Sequence, residues 1–342
     1  MRERFDLVSL GEVMLRLDPG ERRIAQARNF SVWEGGGEYN PARAFASCFG
    51  LRSAVVTALA DNPVGRLIRN LIAEGGTDSR WVRMIPFDGI GESVRNGLNF
   101  TERGFGLRAP VGCSDRGHSA ASQMKADDFD WDEIFSMTDR FHTGGIFASL
   151  SKTSAQTAAA AVAAARDRGV SVSFDLNYRP SLWKNRGGKE AAVSLFETFA
   201  EQADFLFGSE EDYALLIGET EAVFPEVLSK VLKRFPNLKG CGASHRRVLT
   251  ASDHRWQCFF SDRKRTVSSR EYELPILDRV GGGDGFVAGF LAASVYGEEV
   301  SEAVEWGAAH GALVMSTPGD VSFASAEEVK ALVAGKERRI ER

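Results

Sequence analysis

Short apolar segments alternate with segments of helical pattern along most of this 342-residue chain, and this alternation restricts the fold more than any other feature. Residues 5–17, 53–60, 170–176 and 204–207 have the length and composition of buried strands. Strands that alternate with helices form parallel sheets joined by crossover helices. The sequence therefore predicts an α/β fold with a mostly parallel central sheet covered by helices.

The helices are predicted from apolar residues that recur at three- and four-residue spacing. Phe286 and Phe290, for example, are four residues apart and mark one buried face. The predicted helices are residues 38–49, 63–74, 154–168, 188–202, 210–217, 221–234, 286–296 and 301–316. Residues 248–250 and 256–260 predict a short hairpin.

Two polar, glycine-rich stretches, residues 16–33 and 87–119, interrupt the alternation of strands and helices. They contain only brief alternating segments, such as residues 95–100, which are typical of short strands outside the main sheet. One interpretation is a small β-lid over the substrate, formed by about residues 14–34 and 87–120; the other is a set of ordinary surface hairpins. No repeat or linker divides the chain, so a single domain over residues 1–342 is expected.

Composition and charge argue against several functions. The formal net charge of −5 disfavours nucleic acid and anionic membranes as partners. The alanine-rich run at 155–165 is too short to span a bilayer, and the first residues have no apolar segment typical of a signal peptide. The four cysteines are scattered without a CxxC pair, which suggests a reducing compartment and no zinc site. A cytoplasmic protein is therefore expected.

Three consecutive glycines and an aspartate, Gly281, Gly282, Gly283 and Asp284, precede the helical segment 286–296. Glycines let backbone N–H groups approach an anion, and a helix N-terminus adds further donors. A carboxylate there would repel the anion, but it could take a proton from a nucleophile that attacks the anion. The alternative is a helix-capping aspartate. The dinucleotide-binding pattern lacks its third glycine, and no Walker A motif occurs. The arrangement favours a phosphotransferase.

Other polar clusters follow predicted strands or open predicted helices. Gly35, Gly36 and Asn40 would let a polyol approach the backbone and hydrogen-bond its hydroxyls, or they would form only a flexible turn. Asn177 and Arg179 follow a strand, where open α/β sheets bind ligands, and an arginine fork suits a carboxylate or phosphate.

Ser209 and Asp212 follow the strand at 204–207, and two interpretations of them stay open. The acidic group could order Mg²⁺ through water beside nucleotide phosphates. The alternative is a capping box at the start of the next helix, with aspartate in place of the usual third member.

These segments together resemble the ribokinase-type (PfkB) carbohydrate kinases. Residues 278–284 resemble the C-terminal signature of that family and residues 35–42 the N-terminal one. The closest similarity within the family is to 2-keto-3-deoxygluconate kinases, and it covers nearly the whole chain. The segments that carry it are residues 11–17, 116–120, 175–183, 248–256, 278–284 and 318–320 with a charged tail ending in Arg342.

The resemblance implies a ribokinase-like αβα sandwich with a small β-lid, ATP as the phosphoryl donor and Mg²⁺ as a helper. It implies phosphorylation of 2-keto-3-deoxygluconate to its 6-phosphate, with Asp284 as the general base and the backbone of Gly281, Gly282 and Gly283 as the anion hole. The implied sugar contacts are Gly35, Gly36, Asn40, Asn99, Arg116, Arg179, Asp284 and Asp320. The implied nucleotide contacts are Asn177, Arg179, Ser209, Ser244, Arg246, Gly281 and Gly283, with Asp212 near the metal through water. A homo-oligomer is expected, and activation by a monovalent cation stays open.

The sequence departs from the family pattern mainly on the nucleotide side. Ser209 and Asp212 stand where the family usually has Asn and Glu, residues 240–246 replace a threonine-rich loop, and Asn99 replaces a common lid tyrosine. Two alternatives therefore remain: a kinase of another sugar, such as fructose, ribose or a related keto-acid, or a sugar-binding relative with weak catalysis.

Overall fold

A computed structural model describes residues 4–219 and 224–336. In these two ranges the chain forms fourteen strands and twelve α-helices. The strands are β1 (Leu7–Leu10), β2 (Met14–Asp18), β3 (Ser31–Gly35), β4 (Ser53–Asp61), β5 (Val82–Pro86), β6 (Leu98–Glu102), β7 (Val111–Asp115), β8 (Arg140–Gly144), β9 (Ser171–Asp175), β10 (Phe205–Ser209), β11 (Gly240–Val248), β12 (Asp253–Ser261), β13 (Thr266–Ser268) and β14 (Tyr272–Pro275). The helices are α1 (Tyr39–Ser47), α2 (Pro63–Glu74), α3 (Trp131–Ser136), α4 (Gly145–Ala148), α5 (Lys152–Asp167), α6 (Pro180–Trp183), α7 (Gly188–Ala200), α8 (Glu210–Ile217), α9 (Glu226–Arg234), α10 (Gly282–Val295), α11 (Val300–Val314) and α12 (Ala326–Val333).

The main sheet has the strand order β13-β12-β11-β10-β9-β8-β1-β4-β5, and β14 also pairs with β12. Within the described residues, neighbouring strands from β11 to β5 pair in parallel, whereas β12 runs antiparallel to its neighbours. Successive side chains of a strand point to opposite faces. Leu206 packs in one apolar cluster and Phe207 in another, so helices cover both faces. The predicted αβα class is confirmed.

A second, smaller sheet has the strand order β3-β2-β6-β7. Its outer pairs are antiparallel, and the central pair β2–β6 is parallel, with Leu15 opposite Leu98. Its four strands lie in the two glycine-rich stretches that interrupt the alternation of strands and helices. The arrangement matches the lid interpretation of those stretches, because they form one separate sheet rather than isolated hairpins.

The single strand predicted at residues 5–17 is wrong. The chain leaves the main sheet after Leu10 and enters the second sheet at Met14. Between them, a Cβ placed on Gly11 would lie 2.5 Å from the Cβ of Glu38, so another segment passes very close to the backbone here. The apolar pattern continues across this junction, and for that reason it could not reveal that the two halves belong to different sheets.

Strand β8 was not predicted, although it lies in the middle of the main sheet. It contains the polar residues Arg140, His142 and Thr143, and the last two are fully buried. Thr143 satisfies its hydroxyl by donating to the carbonyl of Leu10 at 2.9 Å. Hydrogen bonds of this kind allow polar residues to be buried in a strand. Because those polar residues interrupt the apolar run by which a buried strand is recognised, the sequence did not predict β8.

Other boundaries differ for local reasons. The hairpin of β11 and β12 is much longer than predicted, and α10 begins at Gly282 rather than Phe286, because glycine counts against a helix in sequence patterns. The helix predicted at 221–234 appears as α9, with residues 220–223 outside the described ranges. The tail ending in Arg342 lies outside them too. In the described ranges, every helix is too short or too polar to cross a membrane.

Candidate active site

A cleft of about 1390 Å³ lies at the carboxyl ends of the parallel strands. Asn177 follows β9 and Ser209 ends β10, and both line it. Asn99 and Ser114 of the second sheet line it as well. Open α/β sheets bind ligands at this edge, because the loops there are not needed for the sheet itself. The cleft therefore has the main sheet on one side and the lid on another.

Asp284 lies half-buried in the first turn of α10 and lines the cleft. Its Oδ2 accepts a 2.6 Å hydrogen bond from Nδ2 of Asn40, whose Oδ1 in turn accepts from the N–H of Gly36. Removal from bulk water raises the pKa of Asp284 to about 7, although Asn40 and Arg179 oppose that rise. A carboxyl with a pKa near neutrality is suited to accept a proton from a hydroxyl.

The three glycines before Asp284 differ in what the fold demands of them. Gly281 has φ +81°, and a Cβ there would lie 2.5 Å from the carbonyl oxygen of Asp320. Gly283 is exposed in the cleft, and a Cβ there would meet no atom within 4 Å. The fold therefore requires glycine at 281 but not at 283. The N–H groups of this first turn have no partner inside the helix, so they are available to an anion in the cleft.

Two further buried carboxyls, which sequence reasoning did not assign to the site, lie beside Asp284. Burial raises the pKa of Glu38 to about 7 and that of Asp175 to about 8. The charge of Asp175 further raises the pKa of Glu38, and the charge of Glu38 further raises that of Asp284. Glu38 accepts from the N–H of Phe147 at 2.8 Å, and Asp175 accepts from that of Asn177 at 3.1 Å. Glu38 lies in the segment 35–42 and Asp175 in the segment 175–183, both of which carry the family resemblance, so their position in these motifs could have indicated a role.

The predicted sugar contacts are already held by protein partners. Arg116 binds Glu12 through Nε at 2.9 Å and through a second nitrogen, and Glu12 is almost fully buried. Asp320 accepts from Nη1 of the buried Arg16 at 2.5 Å. Sequence reasoning missed both partners: Glu12 lies in the link between the main sheet and the lid, and Arg16 lies on the lid strand β2. The sugar end is thus organised before any ligand binds.

Among the predicted site residues in the described ranges, all but Gly35 line the cleft. Gly35 packs under Asp320 instead, since a Cβ there would lie 2.7 Å from Oδ2 of that aspartate. Asn99 lines the cleft from the lid and accepts from the hydroxyl of Ser114 at 3.3 Å. Predicted residues as far apart in the chain as Gly36 and Asp320, 284 positions, are therefore gathered at one edge of the sheet.

The predicted nucleotide end is rich in arginine. Arg179, Arg246 and Arg279 all line the cleft, and among the described residues no carboxylate forms a salt bridge with them. Burial and then the charges of Arg279 and Arg179 lower the pKa of Arg246 to about 10. Ser244 lines the same end. Unpaired, mutually repelling cations of this kind favour a polyanionic ligand.

Ser209 and Asp212 form the capping box of α8. Oδ2 of Asp212 accepts from the N–H and the hydroxyl of Ser209, each at 2.7 Å, and Oδ1 accepts from the N–H of Tyr178 at 2.8 Å. The described ranges contain no cluster of three or more metal-binding side chains. Mg²⁺ beside phosphates usually keeps several waters and needs only one or two protein carboxylates. Asp212 and the exposed Glu211, which both line the cleft, fit this water-mediated binding.

An acid at a glycine-rich helix N-terminus, between an arginine-lined end and a polar end of one cleft, defines a phosphotransferase site. The model of the "pfkB family carbohydrate kinase" family matches residues 4–327, and the chain belongs to that family. It is therefore a sugar kinase, and membership implies use of ATP and Mg²⁺. The family inferred from the sequence is confirmed.

Similar proteins cover nearly the full length. The chain is 29% identical to a 2-dehydro-3-deoxygalactonokinase of Haloferax volcanii over 98% of this chain and 99% of the relative. It is 25% identical to a 5-dehydro-2-deoxygluconokinase of Shouchella clausii over 97% and 96%. The crystal structure of 2-dehydro-3-deoxygluconokinase from Thermotoga maritima is 32% identical, with a TM-score of 0.90, over 97% of this chain and 100% of that one.

Proposed function

We propose that this enzyme transfers the γ-phosphoryl group of ATP to the primary hydroxyl of a keto-deoxy sugar acid, with 2-keto-3-deoxygluconate as the substrate and its 6-phosphate as the product. The names of the relatives support this class of substrate, because all three are kinases of keto-deoxy derivatives of sugar acids. The free thiols among the described residues are compatible with a reducing cytoplasm.

The observation that carries the proposal is the position of Asp284 at the start of α10, with a pKa of about 7. In the ionised form it takes the proton of the sugar hydroxyl as the oxygen attacks the γ-phosphorus. A new O–P bond forms, the bond from phosphorus to the bridging oxygen breaks, and ADP leaves. Asn40 holds Oδ2 of Asp284, so the base is fixed in one orientation.

The N-terminus of α10 supplies backbone donors and the positive end of a helix dipole to the group in transfer. Bound Mg²⁺ would neutralise phosphate charge beside this turn. Arg246 and Arg279 face the same end of the cleft and attract the phosphate chain. Arg116 and Arg179 give a substrate carboxylate its partners, since an arginine fork matches a carboxylate in geometry and charge.

The experiment that tests the base is Asp284→Asn, assayed by ADP release. We expect turnover to fall about 10²–10⁴-fold with sugar binding retained, because a positioned base contributes that much. Removal from water disfavours the ionised carboxyl in the fold, so the amide variant should be at least as stable at pH 7, as thermal unfolding would check. Unchanged turnover would refute the assigned role.

The pairing of Arg116 with Glu12 favours a second candidate, a kinase of a neutral sugar. Glu12 already satisfies the charge of Arg116, so a carboxylate on the sugar is not required for that purpose. A panel containing 2-keto-3-deoxygluconate, its C4 epimer, 5-keto-2-deoxygluconate, fructose and ribose separates the candidates. A higher kcat/KM for fructose or ribose than for every acid would reject the proposed substrate class while leaving the kinase assignment intact.

A further inference from the structure

Arg16 is an unusual residue to find inside the molecule. It lies on β2 of the lid, and its side chain is 0% exposed. Nη1 donates to Oδ1 of Asp320 at 2.5 Å, and Nη2 donates to Oδ2 of Asp278. Burying a guanidinium is costly unless it is paired and hydrogen-bonded. Both of its partners come from the distant C-terminal part of the chain, so the contact joins the lid to the catalytic turn.

The two carboxylates bound by Arg16 stand at the ends of the segments that surround the glycine turn. Asp278 also accepts from the N–H of Val280 at 3.3 Å and from that of Gly319 at 3.4 Å. The carbonyl of Asp320 packs directly against Gly281. One guanidinium therefore ties the segment before the turn to the loop that packs on it, and both lie at the cleft.

The charges of this cluster are not balanced. Asp18, Asp278 and Asp320 lie within 4 Å of Arg16. Among the described residues, Arg103 pairs with Asp18 at 3.0 Å, so this cluster contains three acids and two arginines. Burial raises the pKa of Asp278 and of Asp320, and Arg16 opposes both effects. Without Arg16, two neighbouring buried carboxyls would repel each other and take up protons.

Asp320 uses only one of its oxygens for Arg16. Arg16 engages Oδ1, and Asp320 as a residue lines the cleft beside Asn40 and Gly36. A carboxyl oxygen held at that place can accept a hydrogen bond from a sugar hydroxyl. A protonated or displaced Asp320 would lose both the charge and the direction of this acceptor.

We propose that Arg16 is a positioning residue for the kinase reaction: without touching the sugar, it holds the carboxyl group of Asp320 in place for a substrate hydroxyl, and through Asp278 it fixes the turn that carries Asp284. The proposal rests on the proposed function for the role of Asp284. It assigns the lid strand a function in building the sugar site that differs from simple covering of the cleft.

The test compares Arg16→Met and Arg16→Lys with Arg103→Met, the other arginine of the same cluster. We expect kcat/KM for the sugar to fall about 10²-fold in R16M, since a small misplacement of catalytic groups costs that much. R16K should recover part of the loss, because an ammonium can reach one carboxylate but does not bridge two as a fork does. R103M should lose much less kcat/KM for the sugar than R16M, because among the described residues Arg103 pairs with Asp18 and with neither Asp278 nor Asp320.

A double-substitution cycle with Asp320→Asn separates positioning from general stability. If Arg16 acts through Asp320, the rise in KM for the sugar caused by R16K will be smaller in the D320N background than in the unsubstituted enzyme. R16K and D320N keep the test decisive if R16M does not fold. Unchanged sugar kinetics in R16K, fully additive effects, or an equal loss in R103M would overturn the proposal.

Failure of the proposed substrate can be told apart from failure of this inference. The sugar panel is run first on the unsubstituted enzyme, and the Arg16 series then uses whichever sugar it phosphorylates best. Asp320 would bind a hydroxyl rather than a carboxylate, so the expected pattern holds for a neutral sugar too. An enzyme that prefers fructose yet loses activity in R16K would reject the substrate class and support the role of Arg16.

Discussion

The two ends of the cleft are built on opposite electrostatic principles. At the sugar end, Arg116 is paired with Glu12, Asp320 with Arg16 and Asp284 with Asn40. The charged groups there are fixed before a ligand arrives. Such preorganisation suits recognition of hydroxyls, which bring no charge of their own to orient the side chains.

At the nucleotide end, Arg179, Arg246 and Arg279 face the cleft without a carboxylate salt bridge among the described residues. Nη1 of Arg246 donates to the carbonyl of Arg279 at 3.1 Å. These cations repel one another until a polyanion neutralises them. The contrast shows that one end of the cleft offers fixed polar groups, whereas the other end offers positive charge that no carboxylate salt bridge neutralises among the described residues.

The largest effect expected from this contrast is on Arg246. In Arg246→Met we expect KM for ATP to rise about 10- to 100-fold, because a hydrogen bond to a charged group contributes about 1.5–3 kcal/mol. KM for the sugar should change little, since Arg246 contacts no group of the sugar end. Steady-state kinetics with each substrate varied in turn would measure both. An equal rise in the two KM values would break the division of the cleft.

The next effect concerns two glycines of the same turn. Gly281→Ala should destabilise the protein by at least about 1–2 kcal/mol, because φ +81° is costly for an L-residue and the Cβ meets the carbonyl of Asp320. Gly283→Ala should leave the unfolding temperature unchanged, because a Cβ at 283 meets no atom within 4 Å. It should reduce kcat, because the added Cβ would occupy space that a phosphate bound at this turn needs. Calorimetry and ADP release on the matched pair distinguish these outcomes, and full activity in G283A would remove the anion-hole role of that residue.

The smallest effect is a shift in a pH profile. Because the pKa of Asp284 is about 7 and the ionised form is the base, kcat should rise with pH through about 7 and level off above it. The hydrogen bond from Asn40 lowers that pKa, so Asn40→Ala should move the midpoint to higher pH. A rate profile from pH 5 to 9 checks the direction, and an unmoved midpoint would show that Asn40 does not tune the base.

The same pKa has a consequence for stability. Folding raises the pKa of Asp284 from near 4 in the unfolded chain to about 7. Its contribution to folding stability is therefore complete below about pH 4 and is lost as the pH rises through about 7. Asp284 therefore costs stability near neutral pH. This cost follows from removing its carboxyl from water and placing it near Asp320 and Glu38, and the hydrogen bond from Asn40 offsets part of it.

Much of the fold could be predicted because the signals are local. Helix α2 has the predicted bounds, since Asn62 caps it by accepting from the N–H of Gly65 at 2.9 Å and Pro63 suits its first turn. Strand β8 could not be predicted, because its polar residues are tolerated only through partners such as Leu10 in a neighbouring strand. The split of residues 5–17 between two sheets was equally invisible to a pattern of alternation.

The candidate site followed the same rule. The glycine-rich turns, Asp284, Asn40 and the arginines could be proposed from sequence because their chemistry is unusual there, and the structure brings them to one cleft. The partners Glu12 and Arg16 could not, because a charged residue on a predicted strand is normally exposed, and only long-range packing shows that these two are buried against Arg116 and Asp320.

The sequence by itself determined the α/β class and the family, and it predicted a role for the glycine turn with Asp284, since each depends on spacing within a short segment. Only the tertiary structure decided which charges are paired, that the strand predicted at residues 5–17 divides between two sheets, and that Asp284 has a pKa near neutrality. The physical reason is that ion pairing and desolvation depend on neighbours in space, such as Arg16 and Asp320, which lie 304 residues apart in the chain.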